Sequence, residues 1–550
     1  VTSPRSRSIA RMDRFAPFAL VTCLLILFST NALAFRIPMR DKKGKDLRLS
    51  VDITLTSAFE WHQNNFSFQR PAHTLDYQDL QNRLNIDVVF GDYRVGGRLD
   101  TFTFFNDDQA PCKTGSTFDC KGQYIPEKMY LKFRAGPVDF VAGDFYLTVG
   151  RGIALAIRKV DEFGLDTTLR GGRASIEQGD FRATIAGGFT NTNNLDPVQE
   201  VFFNDPNHFI FTTSLSQRLF NLMTLGAHYV YADQSEKLGD SFFEAKSHIA
   251  GGSLDFKRLF NFLDVYFEGN VAQQLEGTIP NTGYALYTSF NAFLFPFTLQ
   301  VEGQWYHKFA MIVSPTTQHD TVIVPPFSYL NPPTMERQDL DTQGENSNSK
   351  GFRVRLDYTL PSRQTVFFLN YMYRFGFTEV QEPDKQLHIH HVYAGGEHRF
   401  GHTAQITFSG GLREITGFET WRLAHGDIDA SFHISPKHSI EFVTRYWWNR
   451  KQEDLGTEIQ ERIYHIYDAQ LSYSISKLLS AAFLFSYTNE FTNEGARQLY
   501  VAGEIKFFIL QYGYIKVFYG QSRSGLRCVS GVCRIFPAFE GFRTELTFRL

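Results

Sequence analysis

From residue 47 onward, apolar and polar side chains change places at every step. Leu47, Leu49, Val51, Ile53, Leu55, Phe59 and Trp61 fall on one face. Arg48, Ser50, Asp52, Thr54, Thr56, Glu60 and His62 fall on the other. A period of two is that of a β-strand, whose successive side chains point to opposite faces. The alternation returns at Leu84, Ile86, Val88 and Phe90, at Phe181, Ala183, Ile185 and Phe189, and at Phe352, Val354, Leu356 and Tyr358. It continues through Leu499, Val501, Ile505 and Phe507, and closes the chain at Phe542, Leu546, Phe548 and Leu550.

The connections alternate as well. Tight turns stand at Gly91-Asp92-Tyr93, Ala135-Gly136-Pro137, Gln178-Gly179-Asp180, residues 293–296, Leu360-Pro361-Ser362, Phe400-Gly401-His402 and Ser435-Pro436-Lys437. The opposite ends carry long connections at residues 106–124, 191–208, 312–350 and 521–536. Short turns facing long loops are the pattern of an outer-membrane barrel with periplasmic turns and external loops. The predicted fold is therefore all-β, an antiparallel transmembrane β-barrel over residues 47–550. Counting hairpins gives about 24 strands, with 22 or 26 as the alternatives. Residues 35–46 read as a short periplasmic lead. Side chains alone cannot fill so wide a barrel, so its lumen is either a channel or plugged. The lead is too short to be a plug domain, so any plug must come from the loops.

Composition narrows the class. Aromatic residues make up 15% of the chain, with 55 Phe and 25 Tyr, while charged residues are 21%. Mean hydropathy is only -0.25, and the one long apolar run is N-terminal, which excludes a helical multi-span protein. Lys+Arg (55) and Asp+Glu (58) nearly balance, giving a net charge of -3. No basic excess marks a nucleic-acid partner.

Met12 reads as the natural start. Arg14, the apolar stretch 15–28 and Asn31-Ala32-Leu33-Ala34 compose a signal peptide cleaved after Ala34, with a membrane anchor as the competing reading. Cys23 sits within the apolar stretch, where a lipoprotein signal would not put it. Four cysteines follow: Cys112, Cys120, Cys528 and Cys533. Each pair is local and lies in a long connection, so two loop-closing disulfides are expected of an exported protein; metal ligation is the rival.

One segment breaks the alternation. Residues 143–172 hold six glycines beside Ile153, Leu155, Ile157, Phe163 and Leu165. They also hold Asp144, Arg151, Arg158, Lys159, Asp161, Glu162, Asp166 and Arg170, with Arg173 just beyond. A solvated loop has no use for those apolar residues, and a lipid-facing strand has none for those charges. We expect this stretch, over residues 150–172, to fold into the lumen as a pore or plug loop held by ion pairs. Arg48, Asp52, Asp87, Arg353 and Arg355 are the wall partners the alternation offers. Gly150-Arg151-Gly152 lacks the pattern of a phosphate-binding loop. The carboxylates Asp161, Glu162 and Asp166 lie among cations that favour ion pairing over hydrolysis.

The run Gly143-Asp144-Phe145-Tyr146, then Gly150-Arg151-Gly152, Leu165-Asp166 and Leu169-Arg170-Gly171, resembles the signature of uncharacterised outer-membrane barrels of Bacteroidetes and myxobacteria-like lineages. The resemblance implies the barrel fold and brings no chemistry with it.

Elsewhere, His388 and His390 share a strand face and are expected to point into the lumen beside His391; polar lining outweighs metal binding. Residues 191–207 lack the Asp-x-Asp-x-Asp-Gly pattern of a calcium loop. No Gly-x-Ser-x-Gly is present. The leading expectation is a porin-like channel or uptake barrel for small polar or amphipathic solutes, with no enzymatic role and no cofactor. Its partners would be outer-membrane lipid and the barrel-assembly machinery, although the chain ends on Leu550 with Phe548 two residues back. The alternatives are a structural or assembly barrel that anchors surface or periplasmic partners, and, behind it, an outer-membrane hydrolase.

Overall fold

The computed structural model describes residues 35–550 apart from 41–45, 64–76, 106–122, 161–164, 197–200, 203–207, 235, 239–240, 244, 277–278, 310–347, 377–386, 418, 455–458, 491–497, 510, 530–531 and 537. The expected signal peptide, Cys112, Cys120, Asp161 and Glu162 lie outside the described residues.

The alternating segments are strands, each hydrogen-bonded antiparallel to the next, from Asp46–His62 to Phe539–Arg549. The last pairs with the first, from Thr54 opposite Arg549 to His62 opposite Gly541. The seam ends in two reciprocal backbone bonds, Ile53 N–H to the Leu550 carbonyl at 3.1 Å and Leu550 N–H to the Ile53 carbonyl at 2.8 Å. The ring holds 24 strands. Closure removes the free edges of the ring, so each of its strands has a hydrogen-bonding neighbour on both sides, as lipid requires.

The lead is itself structured. Phe35–Arg40 is a strand that folds back on Asp46–His62, with Phe35 opposite Val51 and Arg40 opposite Asp46. Its sequence, Phe-Arg-Ile-Pro-Met-Arg, alternates with the same period of two as the strand it joins.

The two faces separate by chemistry. Trp61, Ile86, Leu131, Phe189, Leu286, Trp305, Leu369 and Leu471 stand exposed on the outside. Their neighbours in sequence turn inward. Exposed aromatic and aliphatic side chains around a closed ring are the lipid-facing belt of an outer-membrane barrel.

The register corrects one expectation. His388 and His390 pair with Phe375 and Tyr373, on the outward side with exposed Val392. There the Tyr371 hydroxyl meets His390 Nδ1 and the Tyr373 hydroxyl meets His388 Nδ1, each at 3.0 Å. The inward side holds wholly buried Ile389, packed with Met372 and Ile415, and His391. The apolar Leu387 and Ile389 pointed to the wrong face because the inner wall here carries apolar side chains of its own.

Candidate functional site

The chain between the strands Val138–Phe145 and Thr168–Gln178 enters the barrel. It makes two small hairpins. Leu147–Val149 pairs with Leu155–Ile157, and Lys159–Val160 pairs with Leu165–Asp166. The first turn is closed by Gly152 N–H donating to the Val149 carbonyl at 2.9 Å.

Ile153, Ala154, Leu155, Ala156 and Ile157 are at most 1% exposed. They pack against inward side chains of seven consecutive strands, from Ala186 through Ile210, Val230, Ile249, Tyr266 and Tyr287 to Tyr306. The wall side chains in this cluster are apolar, and small at Ala186, Ala232, Ala272 and Ala285. Burying each of Ile153, Leu155 and Ile157 contributes roughly 1.5–3 kcal/mol relative to exposure. The segment is therefore a packed element of the lumen on one side of the ring.

Its tip is fitted to one carboxylate. Glu268, 2% exposed, accepts the Arg151 backbone N–H at 2.8 Å. It also accepts the Tyr266 hydroxyl at 2.5 Å and the Asn270 amide at 3.2 Å. Gly150 has φ 58, and a Cβ there would lie 2.6 Å from Glu268 Oε1. Only glycine lets the backbone approach this closely in a left-handed conformation. The Arg151 guanidinium lies 4.4 Å from the centre of the Tyr266 ring, a cation–π arrangement.

The returning limb is held by Asp166. Its carboxylate accepts Arg98 Nη1 at 2.7 Å, Lys128 Nζ at 2.5 Å and the Tyr146 hydroxyl at 2.6 Å. Lys128 also donates to the Asp166 carbonyl at 2.8 Å. Burial pushes this carboxyl up, but Lys128, Tyr146 and Arg98 outweigh it and hold the group below the usual carboxylate range.

The remaining residues divide. Arg173 points inward and donates to the Tyr146 carbonyl at 3.2 Å, clasping the start of the segment. Arg158 is half-buried and Lys159 exposed. Asp144 and Arg170 are register partners, and Arg170 lies opposite Phe189 on the outer face. There buried Asp144 accepts the Met129 N–H at 2.8 Å, the Asn191 amide at 2.7 Å and the Thr168 hydroxyl at 3.1 Å, with Arg170 at 3.3 Å. These two brace the outer rim instead of lining the lumen.

The wall partners also differ from those expected. Arg98, Lys128 and Glu268 hold the segment. Asp87 is engaged by Arg94 and Tyr130, Arg353 by Glu302 and Asn370, and Arg355 by Asp357. Asp52 is approached by Ser50 at 3.5 Å, and the Arg48 side chain lies outside the described residues. Of the cysteines, Cys528 and Cys533 are backbone register partners in the hairpin of Gly525–Val529 with Val532–Phe536.

No curated protein matches the chain. The profile of a family of unknown function, DUF6029, matches residues 414–550, a span covering the last seven barrel strands and lying outside the inward segment. Among solved structures, Pseudomonas aeruginosa OccK1 (OpdK) is similar at 13% identity and a TM-score of 0.37, over 72% of this chain and 98% of that one. The siderophore receptor PirA from Pseudomonas aeruginosa is similar at 8% identity and a TM-score of 0.45, over 94% of this chain and 81% of that one.

Proposed function

We propose that the protein is an outer-membrane channel or uptake barrel for small polar or amphipathic solutes, partly occluded by its inward segment. The observation that carries this reading is the asymmetry of the lumen. Seven neighbouring strands bury inward apolar side chains in one cluster with the segment, and the polar groups among them, such as Glu268, are closed off from water. On the other side of the ring, Asp429, Glu441 and Arg445 face inward and are exposed to water, in strands whose outward neighbours are Ile428, Phe442 and Tyr446. A wall with water-exposed charges of both signs suits passage of polar solutes and selects weakly by charge. The barrel acts on this reading as a conduit, with no chemical step.

Purified protein in planar bilayers is expected to give discrete conductance steps, and proteoliposomes to swell in solutions of small sugars and amino acids. An intact barrel that shows neither, and that co-purifies with one fixed partner in constant ratio, would support the anchoring alternative.

A further inference from the structure

We propose that the barrel seam carries a binding site for a divalent transition-metal ion such as Zn²⁺, formed by Glu60, His62 and Asp79. All three side chains point inward near the external end of the first two strands. They are 7%, 5% and 0% exposed. One ligand atom from each lies within 4.8 Å of the other two.

The two separations from His62 are those of ligands around a small ion. His62 Nε2 stands 3.4 Å from Glu60 Oε2 and 3.3 Å from Asp79 Oδ2. Ligand atoms about 2.0–2.1 Å from a tetrahedral zinc lie about 3.3 Å from one another. One imidazole and two carboxylates form a borderline donor set, suited to zinc and its neighbours rather than to calcium or magnesium.

The surroundings orient the ligands. The Tyr77 ring stacks on His62 at 4.2 Å and 10°, and Phe539 meets it edge-on at 5.1 Å. Gln81 donates to the other Asp79 oxygen at 3.1 Å. Arg543 holds Glu60 at 2.7 Å and 2.8 Å and offsets one negative charge. Two carboxylates, neutral His62 and Arg543 sum to one negative charge, which a divalent ion turns to one positive. Glu60 and His62 lie on the first strand, Asp79 on the second and Arg543 on the last. The ion thus links the strands beside the closure. A proton on His62 is the competing occupant, and it binds no metal.

The test uses the full-length barrel, purified in detergent and stripped with EDTA. Calorimetric titration with ZnCl₂ should give one site per chain, and Zn²⁺ should raise the unfolding temperature. Asp79→Asn and His62→Gln should each weaken Zn²⁺ by at least about tenfold while keeping the heat-modifiable gel shift of a folded barrel. CoCl₂ on the unaltered protein provides a readout that needs no variant, the intense visible absorption of four-coordinate Co²⁺. Absence of a stoichiometric Zn²⁺ site, absence of that absorption, or undiminished binding in both folded variants would each overturn the proposal.

Discussion

Asp166 and Arg98 form a buried ion pair, with each side chain 5% exposed and 2.7 Å between Oδ2 and Nη1. It fastens the returning limb of the inward segment to the strand Tyr93–Phe105. Lys128 approaches the same carboxylate from the next strand and Tyr146 from the segment itself, so one side chain joins three parts of the fold. Asp166→Asn keeps the shape and removes the charge. Arg98 retains Asp100 at 2.8 Å, so the expected loss is at the lower end for a broken buried pair, about 3 kcal/mol. Guanidinium titration of the folded barrel measures it, and bilayer recordings should show added conductance fluctuation. An unchanged midpoint would remove Asp166 as an anchor.

The same carboxylate sets a pH dependence. Its value in the fold is held below that of the unfolded chain. The stabilisation is therefore complete above the ordinary carboxylate pKa, about 4, and is lost as pH falls through the lower folded value. Conductance should stay flat between about pH 5 and 8 and rise only below about pH 4, with the transition absent in Asp166→Asn. A transition centred near neutral pH would point to a different group.

Gly150→Ala tests the tip. The new methyl would lie 2.6 Å from Glu268 Oε1 at a backbone φ of 58, in the left-handed region that costs other residues about 1–2 kcal/mol. The tip should lift from Glu268 and conductance should increase, with the barrel itself intact. Wild-type currents from this variant would show that the contact does not hold the segment.

Much of this was legible in the chain. Strands, turns, the even count and the intruding stretch follow from period-two alternation and from Ile153, Leu155 and Ile157 standing where a loop should be polar. The partners of that stretch were not. Arg98 and Lys128 meet Asp166 as register partners on neighbouring strands, a pairing set by a bulge between Arg98 and Leu99 that shifts the facing strand by one residue. Glu268 lies more than a hundred residues from Gly150 and looks like any other inward polar residue. A usable signal was present in Val230, Ala232, Ile249, Ala272 and Ala285, apolar side chains set among the polar ones on the inward faces of their strands. Apolar side chains on an inner wall need something to cover them.

Cys528 and Cys533 stand opposite each other in register, which brings cross-strand Cα atoms to about 4.5–5.5 Å, within reach of a disulfide. Peptide mapping without reductant should find them joined in exported protein, and free thiols at both would contradict the expectation.

If the inward segment obstructs conduction, its removal frees the lumen. Replacing residues 150–164 with a short Gly-Ser linker removes the tip and its apolar packing while leaving Asp166 and every barrel strand in place. In single-channel recordings, a severalfold higher conductance is expected from a barrel that still shows its heat-modifiable gel shift. A folded barrel with unchanged conductance would contradict it.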